Sequence, residues 1–207
     1  MRRRNDEQAA AITLVVRKRS KSAWAKALCH TYAGEVALLV AKPATGKSAI
    51  SAYMALCISN GADFFGKKTK SGSVLFLAGE READTRRRIF AMRNGAADVA
   101  VLGPAGAGRL DLRAENAVPS LPRPFARLED ATDEPLRFLI VDTLARCASG
   151  MGENSAKEVG VLVDTLARIA TETQATVLVL RHPAKNGKGL RGSGALDGAV
   201  DQKAEMR

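Results

Sequence analysis

Val36-Ala37-Leu38-Leu39-Val40-Ala41-Lys42-Pro43-Ala44-Thr45-Gly46-Lys47-Ser48 is the stretch that decides how this chain reads. Its apolar first part, residues 36–40, suits a buried parallel strand. Residues 49–58 follow as a helix, with Ile50, Tyr53, Met54, Cys57 and Ile58 recurring at helical spacing. Strand, tight loop and helix is the setting in which G-x-x-x-x-G-K-[ST] cradles the phosphates of a nucleoside triphosphate. Loop N–H groups turn toward the phosphates, and the helix N-terminus adds partial positive charge. On this reading Lys47 reaches the β- and γ-phosphates of ATP, and the Ser48 hydroxyl takes a place on Mg²⁺. Ala41 stands where the first glycine is expected, and alanine is tolerated there only if its φ stays negative. A chance Gly-Lys-Ser in a basic chain is the alternative; the flanking strand and helix weigh against it.

Composition bounds the rest. The 207 residues suffice for one α/β domain with a buried sheet, and 46% hydrophobic content makes a core feasible. Aromatic residues are only 4%, which argues against a base-stacking platform for single strands. The net charge of +10 points to a polyanionic partner, nucleic acid being the usual one, or else to a solvated basic surface. Much of the excess lies early, at Arg2, Arg3, Arg4, Arg17, Lys18, Arg19, Lys21 and Lys26. Cys29, Cys57 and Cys147 have no metal-ligand spacing and fit reduced thiols of a cytoplasmic protein. The apolar stretch 9–16 is too short to cross a bilayer, so no membrane partner is expected. A signal peptide is the weaker reading of the same stretch, because Asp6 and Glu7 interrupt its basic start.

Residues 1–30 read as a basic extension, and residues 31–207 as one ATPase domain. Asn60-Gly61 closes the first helix, glycine being usual just past a helix C-terminus. Phe64-Phe65-Gly66-Lys67-Lys68 leads to a second buried strand, residues 73–78, closed by Gly79-Glu80. A charged helix with Arg86, Arg87, Ile89, Phe90 and Met92 comes next. Residues 95–135 are irregular: Gly103-Pro104, Gly106, Gly108, Pro119, Pro122 and Pro124 break every periodic pattern. A loop that long is uncommon in a compact domain, which leaves room for an unread element. Residues 136–142 form a third strand, and Ser155 caps a helix whose apolar face carries Val159, Leu162, Val163, Leu166 and Ile169. A fourth strand, 176–180, ends at Arg181-His182, and a Gly/Lys-rich loop, 185–194, leads to the terminus. Alternating strands and helices predict an α/β fold, a mostly parallel sheet covered on both faces.

Ligands in such sheets bind beyond the carboxyl ends of the strands. Asp142 ends an apolar strand there and suits a carboxylate in the Mg²⁺ shell. Glu80 ends another strand, where a carboxylate orients and deprotonates an attacking water, or merely caps the next helix. His182 follows the fourth strand, either hydrogen-bonding the γ-phosphate or serving structure alone. Arg191 sits in a loop with Lys185 and Lys188; that loop contacts nucleic acid or a neighbouring subunit's nucleotide, or is simply solvated.

Taken in order, these segments resemble the RecA-like ATPase family that includes plasmid RepA-type replicative helicases and related AAA-type phage and plasmid ATPases. The likeness runs from Gly34 to Asp201. It rests on the cradle, Phe65-Gly66, Val74-Leu75-Phe76-Leu77-Ala78-Gly79-Glu80, Arg87-Arg88 and Val141-Asp142-Thr143-Leu144-Ala145-Arg146. Gly152-Glu153-Asn154-Ser155-Ala156, residues 177–182 and Arg191-Gly192-Ser193-Gly194-Ala195-Leu196 complete it. The resemblance implies a RecA-like P-loop NTPase in which Lys47 and Ser48 bind nucleotide and Mg²⁺. It also implies that Glu80 activates water, Asp142 serves the metal, and His182 couples the γ-phosphate to the loop after it. The family works as a ring, usually a homo-hexamer, with nucleotide between subunits and single-stranded DNA in the channel.

The chain departs from that pattern at Ala41, and at Arg181, where the family often has a first histidine. It also ends at Arg207, before further strands that bring basic residues to the neighbouring site. Apparent truncation implies a monomer or polydisperse species that binds ATP and turns it over slowly. Two functions therefore compete: a DNA-dependent ATPase of helicase type, and a truncated nucleotide- or DNA-binding remnant. A small-molecule P-loop kinase is a third, lacking an evident acceptor site.

Overall fold

The computed structural model of the chain describes residues 28, 31–93, 99–103, 134–144, 156–183 and 193–206. The strands are β1 (Val36–Ala41), β2 (Ser73–Ala78), β3 (Val99–Leu102), β4 (Leu136–Asp142), β5 (Thr176–Arg181) and β6 (Gln202–Met206). The helices are α1 (Lys47–Ser59), α2 (Glu82–Met92), α3 (Ala156–Thr173) and α4 (Ser193–Gly198). The strands form one sheet in the order β3-β2-β4-β5-β1-β6, and every pairing is parallel.

A parallel sheet needs cover on both faces, and its strands are apolar at successive positions for that reason. Side chains alternate across the sheet. Ala37, Leu39, Phe76, Phe138, Ile140 and Leu178 therefore enter one core with Ile50, Met54 and Ile89 of α1 and α2. Leu38, Leu75, Leu77, Leu139, Val141 and Val179 enter the other, against Leu162, Leu166 and Ile169 of α3 and Leu196 of α4. The expected α3 stripe of Leu162, Leu166 and Ile169 is thus buried on the sheet. Burying one such leucine contributes about 1.5–3 kcal/mol.

Four readings change. The first helix begins at Lys47, two residues earlier than expected, because Gly46 at φ 91° turns the chain straight into it. The fourth strand runs one residue further, through Arg181, which pairs in register with Val40. The irregular region contains a short edge strand, β3, whose four residues are too few to register against the surrounding Gly and Pro. The residues after the 185–194 loop, to which the sequence pattern assigns no element, hold most of α4 and all of β6, and β6 pairs with β1; α4 begins at Ser193, inside the end of that loop. Asp201 fastens that pairing: its Oδ2 accepts from the Val36 N–H at 2.8 Å, and its own N–H donates to the Val36 carbonyl at 2.9 Å. The Gln-Lys-Ala-Glu-Met sequence hides the strand because only Ala204 and Met206 face the core.

Ala41 creates no turn problem. It is the last residue of β1, and the positive φ angles of the loop fall on Ala44 (62°) and Gly46. The end of α1 matches expectation, with Gly61 at φ 60° and the Ala62 N–H donating to the Cys57 carbonyl at 2.8 Å. The residues 1–27, Cys29, Cys147, Ser155, Lys185, Lys188 and Arg191 lie outside the described residues.

Candidate nucleotide site

Strand register assembles the site. Leu39 pairs with Leu180, Leu180 with Asp142, and Asp142 with Ala78, so the carboxyl ends of β1, β5, β4 and β2 form one row. Each strand then releases its chain above that row. β1 feeds the Lys42–Gly46 loop, β2 feeds Gly79-Glu80, β4 ends on Asp142, and β5 leads to His182. The Gly79 N–H donates to the Asp142 carbonyl at 2.6 Å and ties two of these exits together.

A cavity of about 580 Å³ opens there, lined by Gly46, Lys47, Ser48, Glu80, Asp142 and His182 among others. Five side chains picked out from sequence, Lys47, Ser48, Glu80, Asp142 and His182, therefore line one space. Ser48 Oγ donates to Asp142 Oδ2 at 2.8 Å. Thr143 Oγ1 donates to Glu80 Oε1 at 2.8 Å and holds that carboxylate at the cavity edge. Lys47 Nζ lies 3.5 and 3.4 Å from the two ring nitrogens of His182, a contact at the outer limit of hydrogen bonding. Lys47 and Asp142 are each only 8% exposed, so their charges act with little screening by water.

Three contributors went unread in the sequence: Arg81, Thr85 and Arg88 also line the cavity. Their spacing of four and three residues puts them on one face of the helix start that follows Glu80. That signal was present, but three consecutive arginines gave no means of choosing among them. Structure does: Arg86 bonds Glu82 and the Val101 carbonyl, and Arg87 bonds Asp84, which leaves Arg88 on the cavity. Thr143 was visible only as the residue after Asp142.

Burial lifts the Asp142 carboxyl above its ordinary value of 3.8; the Ser48 hydrogen bond and the Lys47 ammonium oppose the rise, while Glu80 adds to it. Between 3.8 and the raised value the folded chain keeps a proton that the unfolded chain has released. Stability of the nucleotide-free protein therefore falls as pH rises through that window and stays lower above it. Asp142→Asn, whose amide oxygen still accepts from Ser48, is expected to raise the Tm at neutral pH and flatten that dependence. A lowered Tm by calorimetry would show that the ionised carboxylate is a net stabiliser.

A parallel sheet with a Gly-Lys-Ser loop after β1 and carboxylates at the ends of β2 and β4 defines a RecA-like P-loop ATPase fold. The chain belongs to the AAA domain family AAA_25, whose model matches residues 10–188. A solved ATPase domain is similar in structure, with a TM-score of 0.60 at 16% identity over 96% of this chain and 82% of that one. A KaiC-like protein from Pyrococcus horikoshii is similar at a TM-score of 0.53, 16% identity, and 83% and 70% coverage. At such identities the likeness is one of fold. No curated protein matches the sequence significantly. Among the described residues no helix is long and apolar enough to cross a membrane.

Proposed function

We propose that this chain binds and hydrolyses ATP with Mg²⁺, as a RecA-like ATPase of RepA replicative-helicase type acting on single-stranded DNA. The observation that carries the reading is the convergence of Lys47, Ser48, Glu80, Asp142 and His182 on one cavity. Ser48 Oγ and Asp142 Oδ2, hydrogen-bonded to each other, are hard oxygen donors suited to Mg²⁺. When bound, Mg²⁺ neutralises charge on the β- and γ-phosphates.

The chain's own residues then divide the work. The Lys42–Gly46 backbone and Lys47 bind the phosphates. Glu80, fixed by Thr143, accepts a proton from the attacking water, and His182 hydrogen-bonds the γ-phosphate. Arg191, with Lys185 and Lys188, contacts the DNA or a neighbour's nucleotide in a homo-hexameric ring.

Phosphate release measured with and without single-stranded DNA, alongside the oligomeric mass, tests this. DNA is expected to raise turnover, and that stimulation to fade steeply with salt as condensed counterions compete. ATP binding with negligible turnover, with or without DNA, would replace this reading with that of a nucleotide-binding remnant.

A further inference from the structure

A second cavity, of about 450 Å³, lies at the opposite end of the sheet. Its lining comes from residues that precede the strands: Tyr32 before β1, the Lys67–Lys70 loop before β2, Arg137 near the start of β4 and Thr176 at the start of β5. The ATPase reading gives it no role.

Four of its lining residues are cationic, Lys67, Lys68, Lys70 and Arg137, and none is acidic. Among the described residues none of the four makes an ion pair. The acids nearest in sequence are Glu35, Asp63 and Glu134, and none of them lines the cavity. The Glu35 carboxylate accepts from the Tyr32 N–H at 2.9 Å.

Arg137 is the anomaly. It occupies a central strand whose other residues, up to Asp142, are apolar, and its Nε is buried with no hydrogen-bond partner. A buried donor left without a partner is destabilising, and a ligand acceptor would relieve it. Gly72 packs directly against it: a Cβ there would collide with both Arg137 Cγ and the Pro135 carbonyl oxygen, so the position takes only glycine.

The lysine loop is also built. Phe64 and Lys67 exchange backbone hydrogen bonds at 2.8 and 3.0 Å around Phe65 and Gly66, both at positive φ. Thr69 Oγ1 lies 3.1 and 2.9 Å from the carbonyls of Cys57 and Ala62, and its single proton ties the loop to one or is shared between them. Met54, Ile58 and Phe64 form an apolar floor, and Tyr32 stands at the rim, 64% exposed.

We propose that this cavity is a second ligand site that takes a nucleoside phosphate. Arg137 and the Lys67–Lys70 loop hold the phosphate, for which a guanidinium fork is well matched. The base lies on Tyr32 and the apolar floor, where one aromatic ring suffices to stack it. The nucleoside phosphate is either a free mononucleotide or one unit of a single strand, which present the same chemistry.

The test uses the whole chain carrying Lys47→Ala, with AMP and a short oligo-dT as probes. That substitution weakens the first cavity for ATP more than for AMP, so binding at the second cavity is read as the part of AMP or oligo-dT binding that substitutions in its own lining remove. At least one probe is expected to bind this chain. Adding Lys67→Glu, Lys68→Glu and Lys70→Glu, all on exposed positions, should weaken it about tenfold or more. Arg137→Gln should do the same, and Tyr32→Ala should weaken it less. Loss of AMP binding identifies a free nucleotide; loss of oligo-dT binding with a shallower salt dependence identifies a strand. The lysine variant in the Lys47-intact chain should keep its basal ATP turnover, since the two cavities lie at opposite sheet ends. Failure of both probes to bind the Lys47→Ala chain, or binding untouched by the lysine and Arg137 variants, would overturn the proposal.

Discussion

Glu80→Gln is expected to hold ATP–Mg²⁺ normally and to hydrolyse it about 10²–10⁴-fold more slowly, the usual cost of losing a general base. The substitution is nearly isosteric, and its amide oxygen can still accept from Thr143, so the hydrogen bond at 2.8 Å survives. Only proton acceptance is lost. Single-turnover hydrolysis beside equilibrium nucleotide binding separates the two. Normal hydrolysis in Glu80→Gln would reduce the carboxylate to a charge at the start of α2. A parallel loss of binding would instead mean that Glu80 organises the cavity.

Lys47→Ala is expected to weaken ATP binding by roughly 10- to 150-fold, because a hydrogen bond to a charged group is worth about 1.5–3 kcal/mol. Binding of ATP should suffer more than binding of AMP, which lacks the phosphates that Lys47 reaches. The fold should persist: α1 is anchored by Ile50, Met54 and Ile58, none of which depends on the ammonium. Titration calorimetry gives the affinity and a thermal melt checks the fold. Unchanged ATP affinity would remove the phosphate cradle from the account of this site.

The site was legible in the sequence because its chemistry rides on strand ends. A buried parallel strand is a continuous apolar run, so Val36–Ala41, Ser73–Ala78, Leu136–Asp142 and Thr176–Arg181 stand out, and the polar residue closing each stands out with them. Glu80, Asp142 and His182 were read this way, and Lys47 and Ser48 from the Gly-Lys-Ser loop between the first strand and its helix. The edge strands were not. Val99–Leu102 is only four residues long, and Gln202–Met206 is polar at three of five positions because one face meets solvent.

What the sequence determined alone was the four central strands, their α/β alternation and the identity of the polar groups that follow or close them, since these are properties of local apolar pattern. The partners came only from tertiary structure. Nothing local says that β5 lies between β1 and β4, or that Asp142 faces Ser48 at a separation of 94 residues. Strand order follows from how helices of given length cover both faces at once, a property of the whole sheet. The same holds for the second cavity. Arg137 reads in sequence as a lone charge in an apolar strand, and only folding brings the Lys67–Lys70 loop, Gly72 and Tyr32 around it.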